Sequence, residues 1–107
     1  MRIKYDIDFT LGAMEYIDVT WKHSNTYDPV RLVSELGPDR FETRKIEFFP
    51  DGRVGFASSE CSSLDTRLGE MAVPPLTEIN EETQFCGVYL TAEEFENLWC
   101  KYANLRT

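Results

Sequence analysis

Apolar and polar residues alternate strictly near the start of the chain: Ile3, Tyr5, Ile7, Phe9 and Leu11 interleave with Arg2, Lys4, Asp6, Asp8 and Thr10. A period of two puts five apolar side chains on one face of a strand. Gly12 and Ala13 allow a turn, and Ile17, Val19 and Trp21 resume the alternation, so the pattern predicts a hairpin. After the polar turn Ser24 to Pro29, Val30, Leu32 and Leu36 fall in phase and predict a third strand, ended by Gly37-Pro38-Asp39. Phe41 to Phe49 and Arg53 to Ala57 read as a second hairpin. Pro50 presets φ for the first corner of a type I turn, Asp51 accepts the second, and Gly52 supplies the left-handed residue that returns the chain to pairing. Gly55, inside a strand pattern, marks a bulge or a close backbone approach.

Periodicity then stops. Ser58 to Pro75 is rich in serine and closes on Pro74-Pro75, which no helix interior or central strand accepts. Irregular segments of this length are uncommon in compact domains and are often functional. Thr77 to Glu82 predicts a short helix with Leu76 and Ile79 facing inward, and Phe85 to Leu90 a strand or extended connector. The last element is the best specified. Thr91 and Glu94 form a capping box, Leu90 and Phe95 a hydrophobic staple, and Phe95, Leu98, Trp99 and Tyr102 one apolar stripe at helical spacing. The sum is an α+β domain over residues 1–107: a mostly antiparallel sheet of five or six strands with a C-terminal helix packed on one face.

Composition agrees with an ordered globule, at 42% hydrophobic and 13% aromatic residues. The charge narrows the partners: Lys+Arg 11 against Asp+Glu 19 gives a net charge of -8. Such a surface repels phosphate backbones and anionic lipid and favours a basic protein partner, so neither nucleic acid nor a membrane is expected. No secretory leader is visible at Met1 to Thr10, and the three cysteines, Cys61, Cys86 and Cys100, suit reduced thiols, so the expected location is the cytoplasm.

Reaction chemistry is sparse. His23 is the only histidine, on the face of Val19 and Trp21, and reads as a partly buried side chain held by a hydrogen bond. Cys61, Cys86, Cys100 and His23 lack paired metal-ligand spacings, so no metal or cofactor is expected, and Cys100 beside Trp99 reads as packing. Gly52-x-x-Gly55 belongs to a hairpin and makes no phosphate loop. An enzyme would need a pocket in which His23 meets Arg44 or Glu47. No catalytic residue is assigned.

Recognition has better candidates. Arg67 stands between carboxylates in Asp65-Thr66-Arg67-Leu68-Gly69-Glu70, either as an internal staple or as a partner contact. Residues 77 to 98 hold Glu78, Glu81, Glu82, Glu93, Glu94 and Glu96 and no lysine or arginine, an electronegative surface if both helices lie on one side of the sheet. The expected partner-binding residues are Glu60, Asp65, Arg67, Glu70, Glu78, Glu81 and Glu82.

Five segments resemble a family of small bacterial domains of unknown function. They are Trp21-Lys22-His23-Ser24, Ser34-Glu35-Leu36, Arg44 to Ala57, Thr66-Arg67-Leu68-Gly69-Glu70 and Glu93 to Trp99, within residues 15–103. Residues 1–14 fall outside the likeness, which implies an additional N-terminal strand in this chain. By size and single-domain form, the resemblance also implies an analogy with immunity proteins, which neutralise toxins exchanged between bacteria. The expected function is therefore a small acidic binding protein that occludes the basic active site of a cognate toxin domain, as monomer or homodimer. The alternative is a non-toxin interaction or scaffold module, self-associating through the first strand.

Overall fold

The structure, a computed structural model, describes residues 13–103. Five strands, β1 (Glu15–Trp21), β2 (Arg31–Leu36), β3 (Glu42–Phe48), β4 (Val54–Ser58) and β5 (Phe85–Leu90), are accompanied by helices α1 (Leu76–Ile79) and α2 (Ala92–Ala103). The strands form one sheet in the order β4-β3-β2-β1-β5, each neighbouring pair antiparallel. This is the α+β architecture the sequence predicts.

The strand expected over residues 3–11 lies outside the described residues. Its expected hairpin with the next strand lies outside them too, while β1 itself is paired along both sides. β2 runs along one side of β1 from Glu15↔Leu36 to Thr20↔Arg31, and β5 along the other from Tyr16↔Leu90 to Trp21↔Phe85. Both edges of β1 are taken, and β1 sits inside the sheet.

The β3–β4 hairpin forms as its turn residues dictate. The Gly52 N–H donates to the Phe49 carbonyl (3.0 Å), Gly52 takes φ 93°, and the Asp51 carboxylate accepts the Arg53 N–H (3.0 Å). Gly55 sits in an unbroken register, so it marks a close approach and not a bulge. A Cβ there would lie 2.2 Å from Thr66 Oγ1. The irregularity in the sheet lies between β2 and β3, where the register slips after Glu35↔Arg44 to Leu36↔Glu42. In a regular strand, residues three apart face opposite ways. The slip turns Glu42 to the same face as Lys45.

Both faces of the sheet are covered. On one, Phe95 of α2 is fully buried on Val33 and Ile46, ringed by Tyr16, Phe48, Leu98, Trp99 and Tyr102. The capping box holds the start of α2: the Glu94 N–H donates to Thr91 Oγ1 (3.1 Å), and the Thr91 N–H to Glu94 Oε1 (2.8 Å). On the other face, Leu76 of α1 packs with Ile17, Val19 and Leu36, and Val73, Ile79 and Phe85 close around them. β2 is therefore buried from both sides, and Val33 through Leu36 are all buried. The in-phase set Val30, Leu32 and Leu36 marks only one of these faces. The helices lie on opposite faces, so the single electronegative surface expected from α1 and α2 together is not formed.

Candidate functional site

The segment between β4 and α1 is a strap laid across the sheet, and four anchors fix its path. At β4, the Ser63 N–H donates to the Phe56 carbonyl (2.9 Å) and the Ser58 N–H to the Cys61 carbonyl (2.7 Å). Over β3, Thr66 is buried and its Oγ1 donates to Glu47 Oε1 (3.2 Å), while the Gly69 N–H donates to Glu42 Oε1 (2.6 Å). Lys45 lies buried between those two carboxylates, 3.1 Å from Glu42 and 3.4 Å from Glu47. Near the end, Arg40 donates from Nε to the Val73 carbonyl (2.7 Å) and from Nη2 to the Pro74 carbonyl (2.9 Å), and pairs with Glu15. Arg40 holds φ 68°, a left-handed conformation uncommon for a side chain of its size. These bonds offset its cost.

The strap sets the seven candidate recognition residues into two groups. Glu60, Asp65, Arg67 and Glu70 are exposed along it. Arg67 and Glu70 line a shallow groove of about 280 Å³ with Ser58, Ser62, Thr66 and Leu68, and Glu60 and Asp65 line neither this groove nor the next. Glu78, Glu81 and Glu82 line a second groove of about 420 Å³ with Pro74, Ile79 and Phe85. The first groove lies at β4 and the second at β5, the two edges of the sheet. Four strand spacings of roughly 4.8 Å put about 19 Å between those edges. Of the two readings of Arg67, staple or partner contact, the staple finds no ion pair with a described residue, and Thr66, Gly69 and Arg40 hold the strap.

His23, Arg44 and Glu47 do not converge. Arg44 faces α2, Glu47 faces the strap, and His23 follows the end of β1. Both His23 ring nitrogens are engaged: Nδ1 accepts the Asn25 N–H (3.0 Å), which leaves Nε2 as the donor to the Pro29 carbonyl (2.8 Å). The ring also meets Trp21 edge to face at 4.5 Å. Cys100, expected as packing, is exposed, as is Cys86. α2 turns its Phe95, Leu98, Trp99 and Tyr102 stripe to the sheet and leaves Cys100 on its outer side.

A second charged cluster lies under α2. Arg44 pairs with Glu35 through Nε (2.8 Å) and Nη2 (2.7 Å), pairs also with Glu96 of α2, and lies over the rings of Phe95 (4.9 Å) and Trp99 (5.1 Å). Hydrogen bonds from Arg44 hold the Glu35 carboxyl below its ordinary range despite burial, and the same bonds raise Arg44 further. Burial and the Glu35 charge push the Tyr16 phenol up. Glu35 and Arg44 stand on adjacent strands and Glu96 on the helix, so the cluster ties α2 to the sheet.

A family model described as "Domain of unknown function (DUF6881)" matches residues 15–104. The chain belongs to that family. The match begins at the first residue of β1 and spans every described element through α2, including the strap and both grooves. No curated protein and no solved structure matches. Among the described residues of this DUF6881 chain, no helix is long and apolar enough to cross a membrane, and no group of three or more His, Cys, Asp or Glu side chains is placed to hold a metal ion.

Arg40, Lys45 and Thr66, which fix the strap, escape the sequence reading. Gly55 carried the one usable signal, since a glycine in mid-strand marks something close above it.

Proposed function

We propose that the protein is a stoichiometric binding protein, an immunity protein of the cytoplasm that neutralises a cognate bacterial toxin by covering its basic active site. The observation that carries this reading is an asymmetry in how charge is used. Arg31, Arg40, Arg44, Lys45 and Arg53 are all committed to internal ion pairs, with Asp18, Glu15, Glu35 and Glu96, Glu42 and Glu47, and Asp51. Glu60, Asp65, Glu70, Glu78, Glu81 and Glu82 are exposed and have no such partner among the described residues. Pairing thus engages five of the eight lysines and arginines among the described residues and leaves these carboxylates outward, where their potential steers a basic partner into encounter.

The same surface serves a basic partner that is not a toxin, and one experiment separates the two. The protein is purified from its native host, whatever protein remains bound is identified, and the pair is rebuilt from pure components. The toxin reading expects a basic protein, a one-to-one complex weakened by salt, and loss of the partner's activity in the complex. A rebuilt complex with the partner's activity intact removes the toxin reading and leaves the interaction module. Recovery of no basic partner at any salt concentration overturns both.

A further inference from the structure

The groove between α1 and β5 combines an apolar floor with an anionic rim. Half-buried Ile79 and Phe85 form the floor, and exposed Pro74, Glu78, Glu81 and Glu82 the rim, around about 420 Å³. Among the described residues, no lysine or arginine lines it. Elsewhere the chain repeatedly places a guanidinium against an aromatic face and a carboxylate together. Arg31 lies 4.6 Å from the Phe48 centroid while paired with Asp18, Arg53 lies 5.3 Å from Phe49 while paired with Asp51, and Arg44 lies over Phe95 and Trp99 while paired with Glu35. The groove offers a carboxylate rim and an aromatic side chain with no cation from the described residues between them.

We infer that this groove receives an arginine side chain of the protein partner. The inference rests on the binding-protein reading above and names the contact that reading lacks. Arginine fits for three reasons. Its stem covers apolar surface, its planar head stacks on an aromatic ring, and its fork of donors takes two carboxylate oxygens at once. The compact, strongly hydrated ammonium of lysine gains less from the floor. The backbone beneath the rim is also held in place before any partner arrives. The Asn80 side chain donates to the Gly87 carbonyl (3.0 Å) and accepts the Gly87 N–H (2.6 Å), so it pins the end of α1 to β5. The Glu81 N–H donates to the Glu78 carbonyl (3.1 Å), the Glu82 N–H to Ile79 (3.1 Å), and the Phe85 N–H to Glu82 (3.0 Å). A fixed backbone beneath the rim leaves only the glutamate side chains to be ordered on binding.

The test uses the full chain, labelled with ¹⁵N and titrated with N-acetyl-arginine amide, and with N-acetyl-citrulline amide as the neutral isostere. Saturable shifts at the amides of residues 78–85 are expected for arginine, with an affinity at least about tenfold weaker for citrulline and for arginine on the Glu81→Gln/Glu82→Gln variant. These substitutions lie on the surface and spare the core. Equal response to both ligands, shifts spread over the whole surface, or no shift overturns the assignment. A partner that co-purifies with the wild-type chain and binds this variant with unchanged affinity also overturns it while leaving the binding-protein reading standing. Absence of any basic partner removes that reading whatever the titration shows.

Discussion

Gly55 is a glycine because Thr66 lies directly above it. Thr66 is buried and bonded to Glu47, and the Ser63 carbonyl also crowds the position at 3.3 Å, so the strap has little freedom to retreat. Gly55→Ala is expected to lower stability by about 2 kcal/mol, in the range of overpacked sites. An unchanged midpoint in chemical denaturation would count against the strap being fixed at this point. At Gly87 an added Cβ would meet Leu76 Cδ2 at 2.7 Å, but that is the end of a flexible side chain, so Gly87→Ala should cost less than Gly55→Ala. Glu35 gives a pH-dependent test. Its pKa in the folded protein is lowered from the ordinary 4.5, so it contributes stability that is present above about that pH and is lost as pH falls through the folded value. Glu35→Gln should cost about 2 kcal/mol at neutral pH, below the usual loss for a broken buried pair because Arg44 keeps Glu96. The gap between wild type and variant should narrow as pH falls below about 4.5. Urea midpoints from pH 3 to 7 measure this, and a gap that stays constant would contradict it.

Among the elements, α1 depends most on a single side chain. It is one turn long, too short to hold itself, and Asn80 supplies both a donor and an acceptor to the backbone of β5. Asn80→Ala should leave Gly87 without its pair of bonds and increase hydrogen exchange at Glu78–Gly87, while α2 stays protected. Uniform loss of protection across the molecule would show instead that α1 is no separate unit. How much of this was legible in the sequence follows from how local each signal is. The α2 cap and stripe and the β3–β4 turn are written in neighbouring residues, and both formed as read. The placement of β1 is not. Its second neighbour, β5, arrives more than sixty residues later, and no local pattern announces such a pairing. Nor does alternation reveal a covering strap. Glu42, Lys45 and Glu47 look like a solvent face, yet they are sheltered because the strap provides polar partners in place of water. The candidate site was legible as a composition of exposed carboxylates. Its division between two sheet edges depends on topology and was not.

The molecule as a whole is a rigid sheet with both faces filled and both edges partly occupied from within the chain. At β4 the edge is met by Ser62 and Ser63, and at β5 the Asn80 amide occupies the outward bonds of Gly87. Such occupied edges discourage pairing with a second sheet, and a net charge of -8 adds repulsion between copies. What this body presents outward is a surplus of carboxylates, Glu60, Asp65 and Glu70 on the strap and Glu78, Glu81 and Glu82 at α1, none of them in an ion pair with a described residue. The most direct measurement is the association rate constant for the co-purified basic partner across ionic strength, by stopped flow on the wild-type chain. The account predicts a rate that falls by at least about tenfold between 10 mM and 500 mM salt while dissociation changes little. An association rate that does not change with salt would contradict it.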